Sequence, residues 1–356
     1  MIRKIITLLI LISTISCKKE GCTDINALNY NPKAEINNGT CEYHITTPYL
    51  IDIPDYFPDL IIPKDNPLTV EGVALGEKLF NDPILSADNT LACINCHQVI
   101  NSFSDSRQYS IGIDGIPGFR NASALINLGW NTSFNWDGSA TTLEDQAFEP
   151  IRNKIEMHNT WDNVENTLNQ DQEYLNLFKS AFNIDYIDSL HVVKAISQFE
   201  RTLISSNSKY DKFLRGEINL TPSEYNGYAI FNSEIGDCFH CHSTNLFTDN
   251  LFHNNGLDTE PFSDLGYGLI TGSNSDLGKF RTPTLRNIEY TSPYMHDGRF
   301  QTLEEVIEHY NTGGVYSSTI DPLMKKLGTG LNLTNQQKLD LIAFLKTLSD
   351  VGYIEE

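Results

Sequence analysis

Two five-residue units dominate the chemistry open to this chain: Cys93-Ile94-Asn95-Cys96-His97 and Cys238-Phe239-His240-Cys241-His242. Two thiols at this spacing, followed at once by an imidazole, form the attachment pattern of a c-type haem. The thiols match the separation of the two haem vinyl groups and add to them as thioethers. The next His is then held beneath the iron as its proximal ligand. A Cys₄ zinc site shared between the pairs is the alternative. Zinc explains neither the His after each pair nor the long separation of Cys96 from Cys238. A thioredoxin-like redox pair is the other alternative.

The two units sit in an internal repeat. Gly76-Glu77-Lys78-Leu79-Phe80 precedes the first on a helical stretch, and Gly227-Tyr228-Ala229-Ile230-Phe231 precedes the second. Phe119-Arg120, Trp136-Asp137-Gly138 and Thr142-Leu143-Glu144-Asp145 follow the first unit. Phe280-Arg281, His296-Asp297-Gly298 and Thr302-Leu303-Glu304-Glu305 follow the second. This shared order reads as a duplicated haem domain. The fold expected is mainly α, with two cytochrome c-like haem domains and long loops.

Val192, Val193, Ile196, Phe199 and Leu203 recur at helical spacing. Thr302 with Glu305 is a capping box that opens a helix through His309 and Tyr310, closed by Gly313 and Gly314. Thr334 with Gln337 opens a last helix with Leu341, Phe344, Leu345 and Leu348 on its apolar face. The loops at 101–118 and 243–278 are long enough to wrap a cofactor. A boundary near Ser206 divides an N-terminal peroxidatic domain, residues 48–206, from a C-terminal electron-transfer domain, residues 207–356.

Of the 356 residues, 40% are hydrophobic and 20% charged, which excludes global disorder. The net charge of −21, from 46 acidic and 25 basic residues, argues against a nucleic-acid partner. It favours a basic protein partner or a small neutral substrate. No apolar run reaches the roughly 18 residues that span a bilayer.

The N-terminus reads as an address. Arg3 and Lys4 precede an apolar run from Ile5 to Ile12, and small residues lead to Cys17. The stretch resembles a lipoprotein signal, with residues 1–16 removed and Cys17 lipidated. An ordinary signal peptide cleaved nearby is the alternative. Export implies an oxidising compartment, here the periplasm, with attachment to a membrane only through the lipid. Cys22 and Cys41 bracket a polar segment, and a disulfide closing that loop is expected. Residues 17–47 then form a lipid-anchored spacer.

The duplication allows a comparison inside the chain. Fourteen residues after His296 stands Tyr310, and fourteen after Trp136 stands Pro150. A phenol can ligate iron and a pyrrolidine ring cannot. The second haem is therefore expected to be six-coordinate, through His242 and Tyr310. The first is expected to be five-coordinate, through His97, with an open face. A buried core tyrosine is the other reading of Tyr310. Open iron does chemistry, whereas capped iron moves electrons.

From Asn66 to Leu348 the sequence resembles the di-haem cytochrome c peroxidases and their MauG-type relatives. The resemblance rests on Leu75-Gly76-x-x-Leu79-Phe80-x-Asp82-Pro83, both haem motifs and Phe134-x-Trp136-Asp137-Gly138. It rests equally on Phe280-Arg281-Thr282-Pro283-x-Leu285-Arg286-Asn287 and Pro293-Tyr294-Met295-His296-Asp297-Gly298. It implies two covalent haems, and a Trp136 that carries electrons between them. It implies that Glu156 is the distal base of a peroxide site. It implies one Ca²⁺ held by Asn121, Thr291 and the carbonyl of Pro293. A packed Trp, an exposed Glu and a turn are the plain alternatives. Arg120, Arg281 and Arg286 are candidates to pair with haem propionates, against ordinary ion pairs.

Two departures set the subtype. Most of the peroxidases follow the segment Ser110-Ile111-Gly112 with a His that caps the first haem until the second is reduced. Here Ile113 follows, with Asp114 and Gly115 next. Tyr310 stands where the peroxidases place Met and MauG places Tyr. MauG also has a surface Trp at the position of Gly236. The function expected is reduction of hydrogen peroxide to water, with electrons from a small redox protein such as a cytochrome c or cupredoxin. The alternatives are MauG-like oxidation of a protein side chain, or pure electron transfer. A homodimer is expected.

Overall fold

The computed structural model describes residues 18–352 except 26 and 43. The signal sequence and Cys17 lie outside the described residues. Contacts divide the chain into two units, one ending at Thr46 and the other spanning Thr47 to Glu356. In the first, β1 (Glu20–Gly21) pairs in parallel with β2 (Ile36–Asn37), and a disulfide joins Cys22 to Cys41.

The second unit is helical, with ten α-helices among the described residues. Its first half carries α1 (Val70–Asn81), α2 (Leu143–Arg152), α3 (Trp161–Gln170), α4 (Gln172–Phe182) and α5 (Ser189–Glu200). Its second carries α6 (Lys209–Leu214), α7 (Pro222–Phe231), α8 (Tyr267–Thr271), α9 (Leu303–Thr312) and α10 (Asn335–Lys346). A two-stranded antiparallel ribbon, β3 (Phe252–His253) with β4 (Phe280–Arg281), lies in the second half. Among the described residues no helix is long and apolar enough to cross a membrane.

The helix starts follow from local chemistry. Thr69, Thr142, Thr221, Thr302 and Thr334 each accept a hydrogen bond from a backbone N–H of the first turn. Such caps stabilise a helix by about 1 kcal/mol. Pro222 takes the first helical position, where its missing N–H costs nothing.

The two halves repeat one packing device. In the first, α1 lies against α5; in the second, α7 lies against α10. A Cβ at Gly76 would collide with the Ala195 carbonyl, and one at Gly227 with the Asp340 carbonyl. Glycine is therefore what lets each helix pair approach backbone to backbone.

Each half has its own apolar cluster. One gathers Leu75, Leu79, Val164, Phe178 and Ile196, and the other Ile230, Phe231, Leu341, Phe344 and Leu348. Residues 47–356 are nevertheless one compact unit. The change of core near Ser206 is bridged by buried polar contacts. Ser205 exchanges two hydrogen bonds with Asn127 and donates a third, from Oγ, to Asn287.

Candidate functional site

Each Cys-x-x-Cys-His unit forms one 3₁₀ turn, Cys93–Asn95 and Cys238–His240. The N–H groups of His97 and His242 bond back to the carbonyls of Cys93 and Cys238 at 2.9 and 3.0 Å. One short loop thus presents both thiols and the imidazole together. The four thiols are free and half-buried.

Both imidazoles are oriented in the same way. His97 Nδ1 donates to the Phe103 carbonyl at 2.9 Å, and His242 Nδ1 to the Phe247 carbonyl at 3.0 Å. Phe103 and Phe247 both hold a left-handed backbone, φ 57° and 54°, which is costly for a bulky residue. Burial holds both imidazoles below their ordinary pKa. Each ring is then neutral, with its Nε2 lone pair open, as an iron ligand requires.

In the second half a cavity of about 260 Å³ is lined by Cys238, Cys241, His242, Arg281 and Tyr310. Tyr310, on α9, is pushed up to about 12 by burial, and Asn255 Nδ2 donates to its phenol oxygen at 3.1 Å. Arg281 is buried, and its Nε has no hydrogen-bond partner. Among the described residues no carboxylate pairs with it, and burial pushes it down to about 10. An unpaired buried cation is strongly destabilising, so this guanidinium calls for an anion. A haem propionate meets that need, and the donor set fits the group.

The other two arginines take the ion-pair alternative. Arg286 Nη1 and Nη2 each reach Asp211 at 2.9 Å, with both side chains fully buried, and its Nε donates to the Asn245 carbonyl. Arg120 donates to Asp264 at 2.7 and 2.8 Å and to Asp137 at 2.6 Å. Both guanidiniums are neutralised within the protein and serve as ordinary ion pairs. Arg281 remains as the propionate candidate.

In the first half, Pro150 lies inside α2, and Glu156 follows its C-terminal end. Burial pushes Glu156 above the usual carboxylate range, while a hydrogen bond from Asn153 Nδ2 at 2.6 Å pulls it back. Its charge acts on both Cys93 and Cys96. The loop carrying Ile113 packs on the same segment. Ile113 N–H donates to the Glu156 carbonyl at 3.0 Å, and Asp114 bonds His158 at 2.5 Å. Gly112 has no room for a Cβ above the Ile155 carbonyl.

Trp136 joins the halves. Its Nε1 donates to the Asn121 carbonyl at 2.8 Å, its own carbonyl accepts from Arg281 N–H at 2.9 Å, and its ring lines the second-half cavity. Asn121, Thr291 and Pro293 line the same cavity. His296, the counterpart of Trp136 in the repeat, stacks on Phe280 with ring centroids 3.6 Å apart.

Sequence reasoning missed several contributors. Phe103 and Phe247 follow their histidines by six and five residues, a parallel that the repeat exposes. Asn255 and Asp264 sit on loops, and Asp211 lies in the first turn of α6, all remote from the haem motifs.

A family model for the di-haem cytochrome c peroxidases matches residues 70–219. The methylamine utilization protein MauG of Methylorubrum extorquens is 37% identical over 290 residues, covering 80% of each chain. The cytochrome c551 peroxidase of Nitrosomonas europaea is 32% identical, covering 80% of this chain and 81% of its own. A solved MauG-like protein associated with microbial copper homeostasis superposes with a TM-score of 0.81. It is 36% identical and covers 86% of this chain and 97% of its own. Fold and site define a di-haem c-type oxidoreductase. The chain belongs to the di-haem cytochrome c peroxidase and MauG family. It is a peroxide-acting oxidoreductase with two c-type haems.

Proposed function

We propose that this protein reduces hydrogen peroxide to water in the periplasm, with electrons from a small, basic redox protein. The inequality of the two haem sites carries the reading. Tyr310 lines one of them, whereas at the other the matching position is Pro150, and Ile113, bonded to the Glu156 carbonyl, stands in place of a capping His.

When bound, the haems supply the iron that holds peroxide and the redox couple that delivers electrons. His97 and His242 would ligate the iron, and the four cysteines would hold the haems covalently. Tyr310 closes the second site, with Asn255 steadying the phenol oxygen. Glu156 takes the proton from the inner oxygen of peroxide and returns it to the outer oxygen, which leaves as water. Two electrons and two further protons complete the reduction to a second water. Trp136 provides the route between the halves. Arg281 would neutralise a haem propionate.

The proposal extends to one Ca²⁺ held by Asn121, Thr291 and the Pro293 carbonyl. It includes lipidation at Cys17 after removal of residues 1–16, and a homodimer. Tyr310 also favours a second reading, MauG-like oxidation of a protein side chain. Gly236, in place of the surface Trp, counts against the MauG route.

Stopped-flow mixing of the ferric holoprotein with peroxide tests the proposal. One high-spin and one low-spin haem, reacting at once without reductant, is the expected result. A protein inert until pre-reduced overturns it. Tyr310→Met should keep the second haem low-spin while adding the near-infrared sulfur-to-iron band that the native protein lacks. Steady turnover with a reduced cytochrome c or cupredoxin separates peroxidase from side-chain oxidase.

A further inference from the structure

Glu200 is the last residue of α5 and plays no part in the scheme above. It is 5% exposed, and its Oε2 has no hydrogen-bond partner. The adjacent cation opposes burial only through its charge, because the hydrogen bonds of Arg201 go to Glu144, two of them at 2.7 Å. Its environment is the first haem site. After burial, the charge of Glu200 is the largest influence on the Cys93 thiol, ahead of Cys96 and Glu156. Phe199, one residue earlier, belongs to the apolar cluster on which Cys93 and Ile94 pack.

The internal repeat places it independently. Gly76 abuts the Ala195 carbonyl and the Phe199 Cβ, as Gly227 abuts the Asp340 carbonyl and the Phe344 Cβ. Ala195 therefore matches Asp340, and five residues on, Glu200 matches Leu345. Leu345 lines the cavity of the second haem site. The first site thus carries a carboxyl where the second carries a hydrocarbon.

We propose that Glu200 is the proton-loading residue of the first haem site, taking up one proton when an electron arrives there and releasing it when the electron leaves. Iron in the ferric state carries one more positive charge than in the ferrous state. That charge favours the nearby carboxylate, and its loss favours the acid. Burial already pushes Glu200 up to about 8, so the two forms exchange within the working pH range. The charged groups around it are Arg201 and Glu144, paired with each other, and Glu156 through Cys93. Cys93 itself, as a thioether, does not titrate.

The step balances. A one-electron donor reduces ferric iron to ferrous, and one proton from solvent forms the O–H bond of Glu200. Oxidation reverses both. The proposal rests on haem attachment at Cys93, Cys96 and His97 and does not depend on peroxide turnover.

Spectroelectrochemical titration of both haems in the holoprotein, from about pH 6 to 9, is the test. The reduction constant of the first haem should fall tenfold per pH unit, about 59 mV for one electron, and level off above about pH 8. Glu200→Gln and Glu200→Leu should each flatten that slope while leaving the second haem unchanged. A flat wild-type profile, or the same slope in both variants, overturns the proposal. If the variants fail to take up haem, the infrared difference spectrum of the wild type on reduction decides. A protonated-carboxyl band gained at the expense of a carboxylate band supports the assignment, and its absence overturns it.

Discussion

The N-terminal and C-terminal halves share a frame and differ in what fills it. Both use a glycine to bring two helices together, a 3₁₀ turn for the thiols, and a strained Phe whose carbonyl holds the imidazole. Both then place a Thr-capped helix just after a Trp/His-Asp-Gly element, with the cap six residues beyond its first residue. The filling diverges at the face where chemistry occurs. Pro150 in one half answers Tyr310 in the other, Trp136 answers His296, and Glu200 answers Leu345. Near the second thiol of each pair, Asp105 binds Arg107 in the first half. In the second, His253 lies between Asp249 and Asp321 at 2.9 and 2.6 Å. Positioning is thus conserved across the repeat, while reactivity is set by a few side chains on it.

The largest effect should come from removing the acid–base group of one half. Glu156→Gln keeps the shape and the Asn153 contact but cannot take a proton. Peroxide turnover should fall by roughly 10²–10⁴-fold with both haems still bound. Unchanged turnover would mean that the first half lacks the distal base assigned to it.

The shared frame should respond alike in both halves. Gly76→Ala and Gly227→Ala each drive a methyl group into a facing carbonyl. Overpacking of this kind costs about 1–3 kcal/mol. Denaturant midpoints should drop by similar amounts for both, and a loss confined to one half would break the equivalence.

A smaller contrast lies in the polar bridge. Asn127 exchanges two hydrogen bonds with Ser205. Asn287 exchanges two with Asp350 and adds one each with Ser102 and Ser205. Both residues hold a left-handed backbone, so substitution by Ala strains them equally. The two extra bonds, at about 0.5–1.5 kcal/mol each, should make Asn287→Ala the more damaging change. Urea unfolding of the two variants measures the difference.

The frame was legible in the sequence because its causes are local. Cap residues, helical spacing and the Cys-x-x-Cys-His units declare themselves over a few residues, and the duplication reads each of them twice. The arginines were only partly legible. Arg120, Arg281 and Arg286 look alike in sequence. Their fates depend on Asp264, Asp137 and Asp211, two of which lie on segments far along the chain. Glu200 sits in a run that reads as an ordinary buried helix end. Its character emerges only when α5 is laid over α10 and the carboxyl falls where Leu345 stands.

The smallest expected effect concerns the proton chemistry of the first half alone. Glu156 must be ionised to accept the peroxide proton, so activity should fall as pH drops through its pKa. Burial raises that pKa above the ordinary glutamate value, which moves the acid limb of the profile toward neutrality. The Asn153 bond opposes burial, because an amide N–H stabilises the carboxylate more than the acid. Asn153→Ala removes that opposition. The acid limb of kcat/KM for peroxide should therefore shift to higher pH, while the rate at alkaline pH changes little. A shift to lower pH would mean that Asn153 raises the pKa of Glu156. No shift would mean that another group governs the limb, and the contrast between an acid–base half and an electron-transfer half would then need a different proton carrier.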